Sequence, residues 1–374
     1  MNLTKYKLGD LIVQRREKNN NYDIPIRGVS KDGFIRAKQQ DADTSIYNVF
    51  YKYDFVFNPA RMELNSIALN LEYEKALCSS LYEVFFIKDE SIVLPEFLNL
   101  HIKCDEFARH CDYIGLGSAR EYCRFANIAE FDILLPPIEV QQEIVKADRL
   151  IKKRIRTNAQ MISTLEATAQ TLYRKMFVDG IDKENLPDGW RIGVLGDYAK
   201  VKSGYAFPSS WWQKDGIPVI KIGSITNNSI EDCDYVSLNN GKHAVNYSAN
   251  TGDIVIAMTG ATLGKIAIVP KDGYLVNQRV GLFELSEKQK APFLYWTLQQ
   301  DDIVNEILTV GGDSAQANVS NTDIEEIKLL YAPKEQLGTF NTYAGYLLSQ
   351  IILKQKANKK LTELQSLLLA RMGQ

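Results

Sequence analysis

The chain has 374 residues with 44 basic and 46 acidic side chains, which give it a formal net charge of −2. A stand-alone DNA-binding domain is commonly strongly basic, so any nucleic-acid surface must be a local patch. The candidate patches are Arg15-Arg16-Glu17-Lys18, Lys152-Lys153-Arg154 with Arg156, and Lys354 with Lys356, Lys359 and Lys360, and the last two groups also fit a solvated helix face. No apolar run reaches the ~18 residues that cross a bilayer, and the amino terminus lacks a signal-peptide pattern, so we expect a cytoplasmic protein. The length predicts about two to three domains.

The first part of the chain mixes strand and helix patterns. Residues 82–87 have the alternation and composition of a strand, and residues 95–111 look helical. A long segment at residues 138–179 then contains neither Gly nor Pro and lies between Pro136-Pro137 and Gly180, which are start and stop signals of one helix. At ~1.5 Å per residue, about 40 residues make a rod of roughly 60 Å.

Apolar residues of this predicted helix recur in alternating steps of four and three, which is the pattern of a coiled-coil seam. A single helix cannot bury such a stripe alone, so we expect a partner helix. The predicted packing residues of this first helix are Ile151, Ile155, Asn158, Ile162, Leu165 and Leu172. Asn158 either fixes the register of the helix pair or lies at the edge of the seam.

The second part of the chain repeats the plan. Strands are predicted at residues 218–222, 252–258 and 265–269, and residues 292–308 look helical. The final segment has a weaker seam, because polar residues interrupt it and Gly338 and Gly345 lower its helix propensity. Its predicted packing residues are Leu347, Ile351, Asn358, Leu361 and Leu368.

Short motifs also recur between the two halves. Leu8-Gly9-Asp10 returns 187 positions later as Leu195-Gly196-Asp197, and Pro137-x-Glu139 returns 196 positions later as Pro333-x-Glu335. Gly115-x-x-Ser118-Ala119 returns as Gly311-x-x-Ser314-Ala315, again 196 positions later. Because this period is far longer than a solenoid repeat of roughly 20–50 residues, it indicates two similar domains.

The predicted fold is therefore α+β, with two pseudo-symmetric domains separated by two long antiparallel coiled-coil helices. We predict a first domain at residues 1–136, a central helix at 137–180, a second domain at 181–332 and a carboxy-terminal helix at 333–374.

Motifs for catalysis or metal binding are weak. The five cysteines form an odd set without a C-x-x-C pair, which favours reduced thiols. His101, Cys104, His110 and Cys111 lie in a helical pattern without the tight paired spacing of zinc sites, so no metal is predicted. The segment from Gly260 to Ile266 has one residue too few for a phosphate-binding loop and Ile where Ser or Thr binds Mg²⁺. We therefore predict no catalytic residues and a protein that binds rather than catalyses.

Polar loops in both halves suit such a role. Their cationic and amide groups match base edges, since Arg pairs with guanine and Asn or Gln with adenine. Any one of these residues is also compatible with an ordinary turn or cap, and their recurrence favours binding. The candidates in the first half are Arg27, Ser30, Lys31, Arg61, Ser118, Arg120 and Tyr122, and those in the second are Lys202, Ser203, Tyr205, Lys221, Thr259, Thr262, Lys265, Asn277, Gln278, Arg279, Ser314, Gln316 and Asn318.

Three stretches, at residues 115–142, 252–265 and 276–279, carry a family resemblance. They include Leu134-Leu135-Pro136-Pro137-Ile138-Glu139 and Val276-Asn277-Gln278-Arg279. With the order of domains and helices, the chain resembles the specificity subunit of type I restriction-modification systems over essentially its whole length. One departure is Tyr331-Ala332-Pro333, which lacks the double proline before the second helix.

The resemblance implies a non-catalytic DNA-recognition subunit in which each domain reads half of a bipartite double-stranded DNA target. It implies that the helices set the gap between half-sites and dock two DNA methyltransferase subunits, with restriction and translocase subunits joining them. No cofactor is expected in this chain, whereas S-adenosylmethionine, ATP and Mg²⁺ belong to the partners. Two alternatives are a self-contained modification enzyme and a scaffold whose helices only dimerise.

Overall fold

The computed structural model describes residues 3–20, 23–31, 33–37, 43–115 (backbone alone at 114 and 115), 123–226, 228–312 and 317–372. The chain forms two compact units, residues 1–153 with 361–374 (unit 1) and residues 154–360 (unit 2). Both long helices contribute residues to each unit. The predicted domain boundaries stay a prediction, because these units are defined by spatial contacts and divide both helices.

Unit 1 is built from short strands and helices followed by the start of a long helix. In chain order its elements are β1 Thr4–Lys7, α1 Leu8–Leu11, β2 Ile12–Arg15, β3 Arg27–Ser30, β4 Gly33–Arg36, β5 Asn48–Tyr51, β6 Phe55–Phe57, β7 Ile67–Leu69, β8 Lys75–Cys78, β9 Glu83–Ile87, α2 Pro95–His101, α3 Asp105–Gly115, α4 Phe125–Ala129, β10 Asp132–Leu135 and the long helix α5 Ile138–Phe177, which continues into unit 2.

Unit 2 follows the same plan with a larger set of strands. Its elements are β11 Arg191–Val194, β12 Ala199–Ser203, β13 Trp212–Gln213, β14 Ile217–Ile220, β15 Ile225–Thr226, β16 Ser229–Ile230, β17 Asp234–Val236, α6 Leu238–Gly241, β18 Ser248–Ala249, β19 Ile254–Ala257, β20 Ile266–Ile268, β21 Tyr274–Val276, β22 Val280–Leu285, α7 Ala291–Thr297, α8 Asp301–Gly311, α9 Asn321–Glu325, β23 Lys328–Tyr331 and the long helix α10 Lys334–Met372, which ends in unit 1.

The central sheets of the two units have the same topology. Unit 1 has the antiparallel order β2-β9-β6-β7, and unit 2 has the antiparallel order β12-β22-β19-β20. A two-stranded pair accompanies each sheet, β1 with β10 in unit 1 and β11 with β23 in unit 2. The predicted α+β fold with a duplicated domain is confirmed.

The pairing register reproduces the offsets seen in the sequence. Thr4 pairs with Leu135 in unit 1 and Arg191 pairs with Tyr331 in unit 2, so the two pairs differ by 187 (191 minus 4) and 196 (331 minus 135). In both units the backbone N–H of the motif leucine, Leu8 or Leu195, donates over 2.8 Å to the carbonyl of the residue immediately before the second strand of that pair, Phe131 or Ile327. The recurring motif Leu-Gly-Asp therefore occupies the same structural position twice.

Both faces of each central sheet are buried, and the alternation of side chains separates them. In unit 2, Ile254 and Ile256 of β19 pack with α7, α8 and the long helices, whereas Val255 and Ala257 face the second, five-stranded sheet β13-β17-β14-β21-β18. Unit 1 repeats this arrangement, with Phe55 and Phe57 of β6 on the helix side. Such two-sided burial explains the nearly continuous apolar runs of these strands.

Both long helices begin directly after the prolines that mark their predicted starts. Gln141 is fully buried beside the start of α5, where its side chain donates to the carbonyls of Ile92 and Pro136 and accepts from the N–H of Leu94. The second helix starts after a single proline, and the N–H of Leu337 donates to the carbonyl of Pro333 over 3.1 Å. Helix α10 therefore begins directly after Pro333 without the double proline that precedes α5.

Two of the predicted helices are each split into two. Residues 95–111 form α2 and the first part of α3, and residues 292–308 form most of α7 and α8. At the breaks, the N–H groups of Cys104 and Gln300 bond to the carbonyls three residues earlier, His101 and Thr297. These tight turns end the first helix of each pair. The break recurs at the same place in both units.

Within unit 2 the two long helices pack antiparallel. Asn158 Nδ2 donates to Asn358 Oδ1 over 2.8 Å, and Gln336 Nε2 donates to the carbonyl of Met176 over 2.8 Å, so one residue number rises as the other falls. Tyr173 and Phe177 of α5 pack edge-on against Phe340 of α10. This is the antiparallel helix pair that the seam predicted.

Predicted packing residues lie along both helices. In unit 2, Ile351 belongs to the buried core and Ile162, Leu165, Leu172 and Leu347 pack against it. Ile151 is buried in unit 1, while Ile155, Leu361 and Leu368 are half-buried. In unit 1, Gln365 Nε2 donates to the buried carboxylate of Asp148 over 2.7 Å, a contact that the apolar pattern does not reveal.

Candidate nucleic-acid interface

Unit 2 carries an open groove of about 400 Å³ at one end of its central sheet. The groove lies where β12 ends, β19 ends, β22 begins and α9 begins. Its lining consists of Ser203, Met258, Gln278, Arg279, Asn318, Val319, Ser320, Asn321 and Thr322. Four of these, Ser203, Gln278, Arg279 and Asn318, are among the residues predicted from the sequence to contact DNA.

Hydrogen bonds between neighbouring elements hold the polar groups of this groove. Ser203 Oγ donates to Asn321 Oδ1 over 2.8 Å, and a terminal nitrogen of Arg279 donates to Asn318 Oδ1 over 3.3 Å. The Arg279 carbonyl accepts the Met258 N–H over 3.0 Å. Gln278, Arg279 and Asn318 are exposed, so their side chains present amide and guanidinium groups to solvent from ordered backbone.

The approach to this groove depends on one glycine. A Cβ at Gly204 would lie 2.2 Å from the carbonyl oxygen of Val276 and 2.4 Å from that of Asn277. Without a Cβ at Gly204, the chain after β12 can run beside β21. There the Tyr205 N–H donates to the Val276 carbonyl and the Gln278 N–H donates to the Tyr205 carbonyl. Glycine is therefore required here by close backbone approach.

Unit 1 has a groove at the equivalent place, of about 480 Å³. Its lining consists of Gln14, Arg15, Arg16, Lys18, Asn48, Asn58, Pro59, Ala60, Ser80, Leu81, Tyr82, Glu83 and Arg124. Two pairs of residues hold equivalent positions in the two units. Arg16 directly follows β2 and Ser203 is the last residue of β12, while Arg124 directly precedes α4 and Ser320 directly precedes α9. The Cys123 N–H donates to the Pro59 carbonyl over 3.0 Å, as the Val319 N–H does to Met258 over 3.0 Å.

The basic residues of the unit 1 groove differ in what holds them. Arg15 forms a two-pronged pair with Asp54, whose side chain is almost completely buried, with N···O distances of 2.6 and 3.1 Å. Burial raises the pKa of Asp54, and the Arg15 guanidinium opposes that rise. Lys18 Nζ donates to Asn48 Oδ1 and to the Ile46 carbonyl. Arg15 and Lys18 thus have structural partners, and the exposed Arg16 donates through Nε to Gln14 Oε1.

The family comparison follows from this duplicated geometry. Residues 3–167 and 187–363 each match the family described as the type I restriction modification DNA specificity domain. The two matches cover most of the chain, one for each repeat. The chain belongs to this family.

Curated relatives of this type I specificity protein have low sequence identity and similar length. It is 21% identical over 356 residues to the type I restriction enzyme HindI specificity subunit of Haemophilus influenzae, covering 75% of this chain and 77% of that protein. It is 24% identical over 298 residues to the MjaIX specificity subunit of Methanocaldococcus jannaschii, covering 75% and 68%. A crystal structure of a type I system S subunit from M. genitalium has the same fold, with a TM-score of 0.61 at 16% identity over 99% of this chain and 96% of that one.

Several DNA-contact candidates of this type I specificity protein lie outside the unit 2 groove. Lys202 contacts Glu284 and the Asn246 carbonyl, and Lys221 pairs with Asp234 over 2.6 Å. Thr259 Oγ1 donates to the Ala317 carbonyl, and Thr262 Oγ1 is buried without a partner among the described residues. Lys265 is exposed, and Asn277 is half-buried beside the groove. The ring of Tyr205 stacks on Trp211 with 5.7 Å between ring centres.

In unit 1, none of the predicted contact residues within the described parts of the chain lines the groove. Arg27 lies over the ring of Tyr73 and donates to the Ile26 carbonyl, and Ser30 donates to the Gly33 carbonyl. Lys31 and Arg61 are exposed elsewhere. Ser118, Arg120, Tyr122, Ser314 and Gln316 lie outside the described residues. All these assignments to DNA contact stay predictions.

The groove residues Arg16 and Arg124 were not among the predicted base contacts, although Arg16 belongs to the basic run that the sequence offers as a local nucleic-acid patch. The 187-residue offset of the Leu-Gly-Asp motif aligns Arg16 with Ser203, so the repeat contained a signal for it. The 196-residue offset likewise aligns Arg124 with Ser320. Carrying the candidate Ser203 back through its offset would have found Arg16, whereas Arg124 would have been missed because Ser320 is not a second-half candidate.

The histidine and cysteine positions have structural environments. His101 is 3% exposed and lies between the rings of Phe97 and Phe131. Burial lowers its pKa to about 4. The Cys104 thiol is directed to the Leu100 and Leu369 carbonyls, and all five cysteines are free. Within the described residues no cluster of three or more His, Cys, Asp or Glu side chains is arranged to hold a metal.

Among the helices that the structure describes, none combines the length and the apolar character needed to cross a bilayer.

Proposed function

We propose that this chain is the DNA-recognition subunit of a type I restriction-modification complex, in which each unit reads one half of a bipartite DNA target. The observation that supports this most directly is the duplicated sheet with a groove at the same end in both units. One repeat per half-site is the simplest use of two equivalent binding surfaces in a single chain.

The chemistry of the two grooves supports base recognition. The unit 2 groove presents an amide pair and a guanidinium, Gln278, Asn318 and Arg279, which match adenine and guanine edges. The unit 1 groove presents guanidinium groups instead. Since the two linings differ, the two half-sites differ and the target is asymmetric.

The near-neutral charge requires a partner in this proposal. Phosphate contacts dominate the affinity of proteins for DNA, and a chain with a net charge of −2 supplies few of them. Two DNA methyltransferase subunits on the helical region would share these contacts and bring S-adenosylmethionine to the target adenine. Restriction and translocase subunits, with ATP and Mg²⁺, would complete the complex.

The long helices would set the number of base pairs between the half-sites. Helix α5 has 40 residues and α10 has 39, and at ~1.5 Å per residue each extends for roughly 60 Å. Removing about two turns from both helices should shorten the gap and leave both half-sites unchanged. Altered half-sites at constant gap length would contradict this role.

The decisive experiment is long-read methylation sequencing of the host genome with the gene intact and deleted. The expected result is a split, adenine-methylated motif that disappears on deletion. Gln278→Ala should relax one half-site only, and Gln289→Ala, an exposed glutamine outside the groove, is the matched control. Methylation or cleavage of DNA by the purified chain alone would instead identify a self-contained enzyme. No DNA affinity, even with methyltransferase subunits present, would identify a scaffold.

A further inference from the structure

The groove of unit 1 contains a hydrogen-bonded chain of four side chains. Arg16 Nε donates to Gln14 Oε1 over 2.8 Å, and Gln14 Nε2 donates to Glu83 Oε2 over 3.2 Å. A terminal nitrogen of Arg124 donates to Glu83 Oε1 over 3.3 Å. One carboxylate therefore positions two arginines, one directly and one through an amide.

Glu83 is well suited to this positioning role. Its side chain is only 12% exposed, and its Oε2 also accepts the Phe125 N–H over 2.7 Å at the start of α4. It begins β9, a central strand of the sheet, so the carboxylate is fixed to rigid backbone. Groups held by a rigid scaffold lose less conformational entropy when a ligand binds.

The two arginines keep the exposure that a ligand needs. The side chain of Arg124 is 62% exposed despite its ion pair, and Arg16 is exposed at the groove. The hydrogen bond of Arg16 to Gln14 uses Nε and not the terminal amino groups. A planar fork of guanidinium N–H groups is the donor arrangement that matches O6 and N7 of guanine in the major groove.

The neighbouring Arg15 provides an internal contrast. Its guanidinium is bound in two-pronged fashion by Asp54 and lies over the rings of Tyr51 and Phe86, at 4.8 and 4.6 Å from their centres. Both arginines line the groove, but Arg15 is tied into the fold by Asp54, whereas Arg16 is exposed.

We propose that Arg16 and Arg124 read guanine in the half-site recognised by unit 1, with Gln14 and Glu83 as positioning residues. The inference rests on the proposed function and adds to it the base class and the residues of the first half-site. It replaces Arg27, Ser30, Lys31 and Arg61 as the principal base contacts of this unit.

The test is the methylome of cells that carry the full system with single substitutions in this chain. Arg16→Ala and Arg124→Ala should each allow methylation at sites where one G·C pair of one half-site is replaced. Losing a two-pronged arginine–guanine contact should reduce discrimination at that position by roughly 5- to 150-fold. The gap and the half-site that responds to Gln278→Ala should not change.

Two further substitutions separate base reading from charge and from folding. Arg16→Lys keeps the positive charge but not the planar fork, so it should relax the same position as Arg16→Ala. Gln14→Ala should weaken discrimination only at the position that Arg16 reads, with the thermal midpoint of the purified chain unchanged. Arg109→Ala, an exposed arginine of α3, is the matched control and should leave the motif intact. If Arg124→Ala lowers the midpoint, Arg124→Lys provides the same test with the charge retained.

Distinct results would overturn this inference while the proposed function stands. One is a half-site of unit 1 without any G·C pair. Another is a uniform loss of methylation at all sites in the arginine variants, which would identify phosphate contacts. A third is relaxation by Arg27→Ala with an unchanged motif in Arg16→Ala and Arg124→Ala. Absence of any split motif in the parent strain would instead remove the proposed function itself.

Discussion

The buried asparagine pair between the long helices allows a quantitative prediction. Asn158 is 1% exposed and bonded to Asn358, which is half-buried on α10. In Asn158→Ala the hydrogen bond disappears and the amide of Asn358 loses its partner inside the helix pair. We expect this substitution to destabilise unit 2 specifically.

The magnitude follows from the burial of the two amides. A lost hydrogen bond costs about 0.5–1.5 kcal/mol, and a buried group left without a partner costs about 1–3 kcal/mol. Since Asn358 is only half-buried and water can reach it, the lower part of that second range applies. The expected loss is about 2 kcal/mol. For a unit of 150–250 residues this lowers the thermal midpoint by roughly 4–8 °C.

The assay is thermal unfolding of the full chain, combined with a double-mutant cycle. Asn158→Ala, Asn358→Ala and the double variant should give a coupling energy of about 1 kcal/mol. Gln160→Ala, at an exposed position of the same helix, is the control and should cost less than about 0.5 kcal/mol. Replacing both asparagines with leucine should restore the midpoint but weaken the choice of helix register.

Additive effects of the two alanine substitutions would refute this reasoning. A midpoint within about 1 °C of the parent for Asn158→Ala would do the same, because it would place the amide in water rather than in the helix interface. In either case Asn158 would lie at the edge of the seam and would not fix the register.

Three further predictions concern stability. Arg15→Ala leaves the buried carboxylate of Asp54 without its partner and should cost about 3 kcal/mol in thermal unfolding. Replacing both residues by apolar ones should recover most of this loss. Equal losses of stability in the two variants would contradict the prediction. Gly204→Ala should lower the thermal midpoint and relax the unit 2 half-site, because its Cβ would clash with backbone carbonyls. The control Gly223→Ala has open space around its Cβ and should be tolerated. Similar behaviour of the two variants would argue against the clash. Because burial lowers the pKa of His101 to about 4, the unfolded state binds the proton first, and the free energy of unfolding falls as pH falls from 6.5 towards 4. Relative to the parent, His101→Phe should therefore gain up to about 3 kcal/mol of stability between pH 7 and pH 4. Parallel pH profiles of stability for the two proteins would refute this.

The architecture could be predicted from motifs that recur at fixed offsets along the sequence. The Leu-Gly-Asp motif and the proline motif locate the start and end of each repeat, and the strand register reproduces their offsets. The long helices were equally predictable, because a segment without Gly or Pro between clear start and stop signals has one compatible local structure. The breaks between α2 and α3 and between α7 and α8 were missed, since i to i+3 turns of ordinary residues leave no such signal.

The unit 2 groove was predicted in part, and in unit 1 the sequence singled out only the basic run that contains Arg16. Gln278, Arg279 and Asn318 combine turn chemistry with base-matching side chains, so their loops are visible in the sequence. Arg16 looks like any member of a basic run, and its role depends on Glu83, which lies 67 positions away (83 minus 16). Contacts between such distant residues depend on strand pairing, which composition does not encode.

The sequence by itself determined the duplication and the two helices, because these depend on local periodicity and on motifs repeated within one chain, and its motif stretches carried the resemblance to the family. Only the tertiary structure decided which cations are available at the candidate interface. Both Arg15 and Arg16 line the unit 1 groove, but Arg15 is paired with a buried carboxylate and Arg16 is exposed. The physical reason is that burial and pairing set the availability of a charge, and both arise only when distant strands meet.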